Sequence, residues 1–360
     1  MDTSYENVRN RLRDQRILLV GGAGFIGHNL ALELRSVGAD VMVVDNLMVN
    51  SLIENVYDGG QNPVQNRAYR NFLLDRFELL RGAGVALRNA DARILGDLNR
   101  VFDEYQPTKA VHLAAISSAV DARLNPGLCF DLQLITLRNV LELCRTSHRQ
   151  QVNQVMLLSS STVYGDFEGD TVDEATRPRP RGIYANAKYM AERLLRTYSH
   201  QEGLGISIVR PSALYGERCK SRRVSQVFIE NALTGKPLRL EGGGSGRLDF
   251  TYIADLVDGI ARALAFHRGP KTSDTFNITF GNARTVAELA AVVKDVVHDA
   301  NVVEAPRAEG KPVRGTLSTV RAERELGFKA KWPLEVGYRK YCEWYAEQWQ
   351  RAKVDALANR

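Results

Sequence analysis

The feature that most constrains how this chain can fold is a set of closely spaced glycines directly after a short apolar run. Residues 17–20 are all branched and apolar, which is typical of a strand buried on both faces of a parallel sheet. Gly21, Gly24 and Gly27 follow, and from residue 25 apolar positions repeat at helical spacing. A strand that enters a helix through such glycines lets a diphosphate approach the backbone N–H groups at the start of the helix. The pattern predicts a dinucleotide-binding turn.

The next predicted strand supports this interpretation. Residues 41–44 form a second apolar run that ends in Asp45, 18 residues after Gly27. A carboxylate at this distance accepts hydrogen bonds from the hydroxyls of the adenosine ribose. Its negative charge would repel a 2′-phosphate, so the sequence predicts NAD rather than NADP. A tight turn with a structural role alone is the weaker alternative.

The composition excludes several classes of protein. No apolar run reaches membrane-spanning length, and residues 1–15 are too polar for a secretory signal. The four cysteines, Cys129, Cys144, Cys219 and Cys342, lie far apart without metal-ligand spacing. We therefore expect a cytoplasmic protein with no metal site, no disulfide framework and no membrane partner.

The net charge of +6 allows two interpretations. Most basic residues alternate with acidic ones along predicted helices, as on a solvated surface, and no nucleic-acid-binding motif accompanies them. The exception is a basic cluster, Arg218, Lys220, Arg222 and Arg223, in a loop after a predicted strand. Small anionic ligands bind at such loops in α/β proteins. The charge favours a phosphorylated small molecule over nucleic acid.

Strands and helices alternate through the first 210 residues. This order predicts an α/β fold in which residues 1–210 form a Rossmann domain, a doubly wound parallel sheet. Beyond residue 210 the elements become shorter and less regular, which predicts a smaller α/β C-terminal lobe over residues 211–350 that binds the substrate. Residues 351–360 are expected to fray.

Two segments of the first half depart from the alternation. Residues 1–15 are typical of a loose amphipathic leader. Residues 46–84 form a long insertion in which residues 61–66 indicate an irregular piece, and apolar spacing predicts a helix over residues 69–80. Because the insertion lies on the ribose side of the predicted cofactor site, it could be a lid, a subunit contact or decoration.

The chemistry is predicted at the end of the strand over residues 154–158. Four hydroxyl residues, 159–162, follow it, and Tyr184 and Lys188 lie one turn apart on the next helix. Oxidation of a sugar carbinol by NAD needs a group that takes the hydroxyl proton. A nearby ammonium and the positive nicotinamide would lower the pKa of a phenol toward neutrality. We therefore predict that Tyr184 is the base, and that Ser160 holds the substrate oxygen.

Six motifs in order, GGAGFIG, VVDNL, HLAA, SSSTVYG, YANAK and DFTYIAD, resemble the extended short-chain dehydrogenase/reductase family, the NAD-dependent nucleotide-sugar epimerases and dehydratases. The resemblance covers about residues 16–345. It implies a Rossmann domain, a C-terminal lobe that holds a nucleotide diphosphate-sugar, and a homodimer formed through the helices that contain residues 126–146 and 185–200.

The resemblance also assigns residues. It implies a catalytic trio of Ser160, Tyr184 and Lys188, the last of which would also bind the nicotinamide ribose. The residues implied to bind NAD are Gly21, Gly24, Phe25, Ile26, Gly27, Asp45, Asn46, Asp91, Ala92, Ala114, Ala115, Tyr184, Lys188 and Pro211.

The substrate side departs from the family pattern. The 4,6-dehydratases carry Asp-Glu, and the decarboxylases a glutamate, where this chain has Ser161 and Thr162, which argues against dehydration. The phosphate-binding arginine of the family is moved by one position to Arg247, which in a strand turns its side chain to the opposite face. Candidate substrate-binding residues are Ser161, Thr162, Arg218, Arg222, Arg223, Arg247 and Arg314.

Three functions remain open at this point. The first is an NAD-dependent epimerase that inverts C4 of a UDP-hexose or UDP-hexuronate through a transient 4-keto sugar. The second is a net NAD(H)-dependent 4-ketoreductase or dehydrogenase. The third is a scaffold without activity, and the intact trio argues against it. Of the remaining candidates, His112 is predicted to be a core residue and Tyr164 a structural ring, while Cys219 could be a reactive thiol.

Overall fold

The computed structural model describes residues 4–49, 51–52, 62–145, 152–307 and 312–358. The strands are β1 (Arg16–Val20), β2 (Asp40–Asp45), β3 (Ala86–Asn89), β4 (Lys109–His112), β5 (Gln154–Leu158), β6 (Thr171–Val172), β7 (Gly205–Arg210), β8 (Leu214–Tyr215), β9 (Leu238–Glu241), β10 (Arg247–Leu248), β11 (Thr251–Tyr252), β12 (Ser273–Asn277), β13 (Arg284–Thr285), β14 (Val302–Ala305) and β15 (Thr316–Leu317).

The helices begin with α1 (Tyr5–Leu12), α2 (Phe25–Ser36), α3 (Pro63–Gly82), α4 (Leu95–Tyr105), α5 (Ala119–Leu124), α6 (Pro126–Phe130), α7 (Thr136–Arg145) and α8 (Gly182–Glu202). The others are α9 (Val224–Leu233), α10 (Ile253–Ala265), α11 (Val286–Val296), α12 (Val320–Leu326) and α13 (Leu334–Ala358). In the part of the chain that the structure describes, no helix is both long and apolar enough to cross a membrane.

Seven of the described strands form one parallel sheet in the order β12-β7-β5-β4-β1-β2-β3. Leu18 of β1 lies between Met42 of β2 and Ala110 of β4. The central strands β1 and β4 are buried on both faces because helices cover both sides of the sheet. The strand order reverses between β1 and β4, so a crevice opens at their carboxyl ends. The predicted Rossmann fold is confirmed.

The edge strand β12 of this sheet comes from beyond the predicted domain boundary at residue 210. It pairs in parallel with β7, with Phe276 opposite Val209. Helix α10, also from beyond residue 210, packs on α2. Two parts of the chain therefore build the Rossmann unit, and a single cut between residues 210 and 211 does not separate the two lobes. The rest of residues 211–307 and 312–350 contains short strand pairs, such as β9 with β14, and helices α9, α11 and α12.

The N-terminal segment is a packed helix, and the prediction of a loose leader is wrong for residues 4–15. The Ser4 hydroxyl caps α1 by accepting a hydrogen bond from the backbone N–H of Asn7. Val8 and Leu12 are buried, and the Arg11 guanidinium donates to the Ala265 carbonyl at the end of α10. Residues 1–3 of the predicted leader lie outside the described residues.

The insertion contains a longer helix than predicted. The Asn62 side chain caps α3, which begins at Pro63, so the predicted irregular piece is wrong for residues 63–66. Residues 50 and 53–61 of the insertion lie outside the described residues. Helix α3 packs against α2 and α13, and its apolar face is buried. The described helix is therefore part of the core and not surface decoration.

A buried hydrogen-bond cluster ties the insertion helix to the C-terminal part of the chain. Glu230 of α9 accepts from the hydroxyls of Tyr69 in α3 and Tyr345 in α13, each at 2.6 Å. The side-chain amides of Gln65 and Gln226 also donate to this carboxylate, at 2.7 and 2.9 Å. A carboxylate with this many donors can stay buried without a large desolvation penalty.

Two further boundaries differ from prediction. Helix α13 continues to Ala358 and buries Trp349 and Ala352. The predicted fraying from residue 351 is therefore wrong for residues 351–358. Residues 359–360 lie outside the described residues. The helix predicted over 126–146 consists of α6 and α7, joined by a π-helical stretch, Asp131–Ile135. Residue 146 lies outside the described residues.

Candidate active site

A cleft of about 1140 Å³, including its open mouth, lies at the carboxyl ends of β1, β2 and β4. Most residues predicted to bind the cofactor line it: Gly21, Gly24, Phe25, Ile26, Gly27, Asp45, Asn46, Asp91, Ala92, Ala114 and Ala115. Pro211, Tyr184 and Lys188 do not line it. The Pro211 carbonyl accepts a hydrogen bond from the Ser161 N–H at 2.9 Å.

The turn after β1 has room only for glycine at two positions, because a side chain at either would collide with the protein backbone. Gly21 has φ +78°, and a Cβ there would lie 2.6 Å from the Ala114 backbone. A Cβ on Gly27 would lie 2.3 Å from the Gly22 carbonyl oxygen. Gly24 is the N-cap of α2 without a side-chain cap, so the first N–H groups of the helix have no partner from a capping side chain. This bare helix start can accept an anionic ligand.

Asp45 is fixed at the other side of the turn. Its carboxylate accepts from the Ala23 N–H at 2.9 Å and from the Leu47 N–H at 2.8 Å. Burial raises the pKa of Asp45, and these two hydrogen bonds and the charge of Arg76 oppose that rise. The Asn46 amide donates to Asp91 at 3.0 Å. Acid and amide groups therefore line the end of the cleft where the ribose is predicted to bind.

The predicted catalytic trio is brought together beside this cleft. Tyr184 makes a hydrogen bond with Ser160, and the Lys188 Nζ lies 5.9 Å from the centre of the Tyr184 ring. The Lys188 ammonium donates at 2.9 Å to the carbonyl of Leu158, which lines the cleft. The Ser160 Oγ also accepts from the Thr162 hydroxyl at 3.0 Å.

The protonation of the trio differs from prediction. Burial raises the pKa of Tyr184, and the strongest opposing effect is the positive charge of Arg223, followed by the hydrogen bond to Ser160. Lys188 points to Leu158 and is not among the groups that lower the pKa of the phenol. Burial lowers the pKa of Lys188 itself to about 8. In this structure the positive charge that most opposes the rise in the pKa of Tyr184 is that of Arg223, and activation of the phenol by the Lys188 ammonium stays a prediction.

A buried ion pair between Glu192 and Arg210 lies beside the trio. Glu192 lies one helical turn after Lys188 on α8 and forms two hydrogen bonds with the Arg210 guanidinium, at 2.7 and 2.9 Å. The Ser159 hydroxyl donates to the same carboxylate at 2.6 Å. Tyr164 is buried and hydrogen-bonded to Arg210, which agrees with the predicted structural ring. Sequence analysis missed Glu192, although its spacing of four from Lys188 was a usable signal.

The predicted substrate-binding arginines do not form one cluster. Arg223 lines the cofactor cleft and donates to the Ser117 carbonyl at 3.1 Å. Arg314 donates to the carbonyls of Gly165, at 2.7 Å, and Ser161, at 3.3 Å. Ser161, Thr162 and Arg314 therefore meet beside Ser160, where a sugar bound to the trio would lie.

Three of the predicted substrate arginines contact protein groups outside the trio. The Arg218 guanidinium donates to the Nε2 of His28, at 3.1 Å. Arg222 is exposed and lies 3.8 Å from the Glu230 carboxylate. Arg247, also exposed, donates to the Ala283 carbonyl at 2.9 Å. Each of these side chains contacts a protein group outside the trio, and their role as substrate ligands stays a prediction.

The remaining sequence candidates are structural. His112 is buried, its Nε2 lies 2.7 Å from the Thr136 hydroxyl, and burial lowers its pKa to about 3, so the prediction of a core residue is confirmed. Cys219 is buried, with its Sγ 3.1 Å from the Ser221 hydroxyl, which does not favour a reactive thiol. Among the described residues, no group of three His, Cys, Asp or Glu side chains could hold a metal ion.

The residue that sequence analysis missed on the cofactor side is Arg76. It is 2% exposed, projects from α3 and lines the cleft near Asp45. Its signal was present, because Phe72, Arg76 and Leu80 share one face of a helix that is otherwise apolar on that face. A charged residue on a buried helical face indicates a specific partner.

The chain is similar to known proteins over most of its length. A family model described as the NAD dependent epimerase/dehydratase family matches residues 17–279. UDP-glucuronate 4-epimerase 1 of Arabidopsis thaliana is 30% identical over 347 residues, which cover 91% of this chain and 76% of that protein.

Two solved structures have the same fold. UDP-glucose 4-epimerase of Thermotoga maritima, solved with UDP-glucose, aligns with a TM-score of 0.77 and 25% identity over 92% of this chain and 99% of that one. UDP-glucose 4-epimerase of Thermus thermophilus, in complex with NAD, aligns with a TM-score of 0.75 and 27% identity over the same shares of the two chains.

Proposed function

We propose that this chain, which belongs to the NAD dependent epimerase/dehydratase family, inverts C4 of a UDP-hexose or UDP-hexuronate. The observation that carries the proposal is the meeting of Ser160, Tyr184 and Lys188 beside a cleft built for a dinucleotide. The relatives reported above act on UDP-glucuronate or UDP-glucose at the same carbon, which supports the choice of substrate class.

The cofactor is NAD, because the uncapped start of α2 after the glycine turn can hold a diphosphate and Asp45 stands where the ribose hydroxyls need an acceptor. The residues that would hold it are the glycine turn, Asp45, Asn46 and the alanines after β4. Bound there, NAD would supply reversible hydride transfer at C4.

The chain's own residues handle the proton. Tyr184 would accept the C4 hydroxyl proton and give it back after the ketone has been reduced on the other face. Ser160, already hydrogen-bonded to Tyr184, would hold the substrate oxygen at the phenol. Lys188 is fixed by the Leu158 carbonyl, so its ammonium lies at the boundary between trio and cleft. Arg223 would favour the phenolate by its charge.

The side chains around Ser160 favour epimerisation over elimination. Loss of water needs an acid and a base beside the catalytic serine, and Ser161 and Thr162 supply neither at neutral pH. They offer hydroxyl groups instead, and the Arg314 cation is bound to the Ser161 carbonyl. Hydroxyls beside a cation can hold either a sugar hydroxymethyl or a carboxylate, so both hexose and hexuronate substrates fit this end of the site.

We further propose that the protein is a homodimer formed through the helices α6, α7 and α8. Next to them, Val120 and Leu124 of α5 are 59% and 66% exposed, and Met190 of α8 is 48% exposed. Apolar side chains on neighbouring helices gain from burial against a second copy. The cytoplasmic location stays a prediction from composition.

The test is an incubation of the purified protein with a panel of UDP-, GDP-, CDP- and dTDP-sugars, without added coenzyme, followed by proton NMR. We expect a C4 epimer of a UDP-sugar to accumulate over many turnovers, because hydride return restores the cofactor in each cycle. Conversion that begins only when NAD or NADH is supplied in equal amount would replace the epimerase with the net oxidoreductase. Formation of a 4-keto-6-deoxy sugar would contradict the argument from Ser161 and Thr162.

The activity should fall at alkaline pH as Lys188 loses its proton. The pKa of Lys188 is lowered to about 8, so the ammonium is present below that pH and is lost as the pH rises through it. We expect kcat/KM to decrease above about pH 8 with the slope of one proton. In Lys188→Arg the cation persists, so any remaining activity should lack this alkaline decrease. An unchanged decrease in that variant would assign it to another group.

A further inference from the structure

Arg76 joins three parts of the molecule at the ribose end of the cleft. Its guanidinium reaches the Ala23 carbonyl in the glycine turn, at 3.5 Å, and donates to the Arg218 carbonyl in the loop after β8. Both contacts are made from α3, the helix of the insertion. The side chain is buried, yet it lines the same cleft as Asp45.

Asp45 and Arg76 are attached to opposite sides of the same residue. The Ala23 N–H donates to the Asp45 carboxylate, and the Ala23 carbonyl faces Arg76. The two charges are close enough to act on each other: Arg76 lowers the pKa of Asp45, and Asp45 raises that of Arg76. The ribose end of the cleft therefore contains both an anion and a cation, and each side chain is largely buried.

A ribose with a free 2′-hydroxyl and one with a 2′-phosphate make opposite demands on such a pair. The carboxylate accepts hydrogen bonds from the diol and repels the phosphate. A guanidinium binds phosphate strongly, because its planar fork matches two phosphate oxygens and its charge is weakly screened where it is buried. A site that has only the carboxylate therefore favours NAD, and a site that has only the guanidinium favours NADP.

We propose that Arg76 is a specificity-determining residue of the cofactor site. In the native chain the Asp45 carboxylate repels a 2′-phosphate and accepts from the ribose hydroxyls, so the site takes NAD. If Asp45 loses its charge, Arg76 becomes the group that binds a 2′-phosphate, and the site takes NADP. The insertion helix thus supplies a latent NADP site, which NAD-binding chains without a cation at this place would lack. The proposal concerns the cofactor alone and does not depend on the sugar that reacts.

The test measures NAD and NADP affinity by isothermal titration calorimetry in a set of variants cleared of bound cofactor. Asp45→Asn is expected to weaken NAD binding and to tighten NADP binding by about 10- to 100-fold, the worth of one or two charge-assisted hydrogen bonds. Adding Arg76→Met to Asp45→Asn should remove this gain in NADP affinity and leave NAD binding close to that of Asp45→Asn.

The matched control is Arg81→Met in the Asp45→Asn background. It removes one positive charge from the same helix, but from a side chain that is 80% exposed and paired with Glu78, so the gain in NADP affinity should persist. Loss of the gain in the Arg81 variant as well would indicate only a general effect of net charge and would overturn the proposal.

Two other results would also overturn it. One is an Asp45→Asn protein that binds NADP no better than the native chain. The other is a gain that survives Arg76→Met, which would leave Arg76 as no more than a link between the glycine turn and the loop after β8. If Arg76→Met does not fold, Arg76→Lys in the Asp45→Asn background decides: a point charge without the fork should keep only part of the gain, and an undiminished gain contradicts a bidentate role.

Discussion

Replacing Tyr184 with phenylalanine is expected to lower kcat by about 10²- to 10⁴-fold, the range typical of a lost general acid–base group. The ring still packs where the tyrosine did, but no oxygen remains to accept the C4 proton or to meet Ser160. Because the hydroxyl is remote from the diphosphate turn, NAD affinity should change by less than about threefold. Initial rates by coupled assay and NAD titration of the same preparation provide both numbers.

The control for this variant is Tyr189→Phe on the same helix. Tyr189 packs beside the small core cluster that contains Val163 and Tyr164, on a different side of α8 from the trio. Loss of its hydroxyl should leave kcat within a factor of two or so. A Tyr184→Phe protein with native kcat would remove Tyr184 as the base and would leave the proton to be taken by another group.

A methyl group at Gly27 should abolish useful NAD binding. The Cβ of alanine would lie 2.3 Å from the Gly22 oxygen and 2.5 Å from its Cα, and both atoms are backbone that cannot rotate away. The helix must therefore move away from the turn, which displaces the N–H groups that hold the diphosphate. We expect NAD affinity to fall by at least about 100-fold and the free energy of unfolding by about 2 to 4 kcal/mol.

Gly82→Ala is the matched substitution for Gly27→Ala. Gly82 ends α3, and a Cβ there would meet nothing within 4 Å. Alanine should be neutral or should stabilise the protein by up to about 1 kcal/mol, because it restricts the unfolded chain. Calorimetric titration with NAD and urea denaturation of both variants make the comparison. A Gly27→Ala protein that binds NAD normally would show that the turn can relax without loss of its geometry.

The cofactor half of the site could be predicted because its information is local. The glycines, Asp45 and the branched apolar runs lie within 30 residues, and Gly21 and Gly27 are required by the backbone at their own positions. The same holds for Tyr184 and Lys188, whose spacing fixes them on one helical face. Geometry of this kind is set by the chain near each residue, so a sequence pattern can specify it.

What could not be predicted depends on contacts between distant parts of the chain. Whether the basic loop faces the substrate or the protein is decided by partners such as His28, which is 190 residues from Arg218. The pKa of Tyr184 rises because of burial, which depends on the packing of the whole lobe. The burial of Arg76 could have been predicted from its helical spacing, but its contacts could not, since Ala23 and Arg218 come from two other segments.

The position of β12 has a consequence for how the protein is made. During synthesis, β7 leaves the ribosome about 60 residues before the strand that covers its edge, β12 at 273–277. Until then the nascent chain presents an apolar strand, Gly205–Arg210, with one row of backbone groups unpaired. An exposed edge of this kind invites pairing between neighbouring chains, so the yield of native protein should depend on how slowly this interval is translated and on chaperones that shield β7 meanwhile.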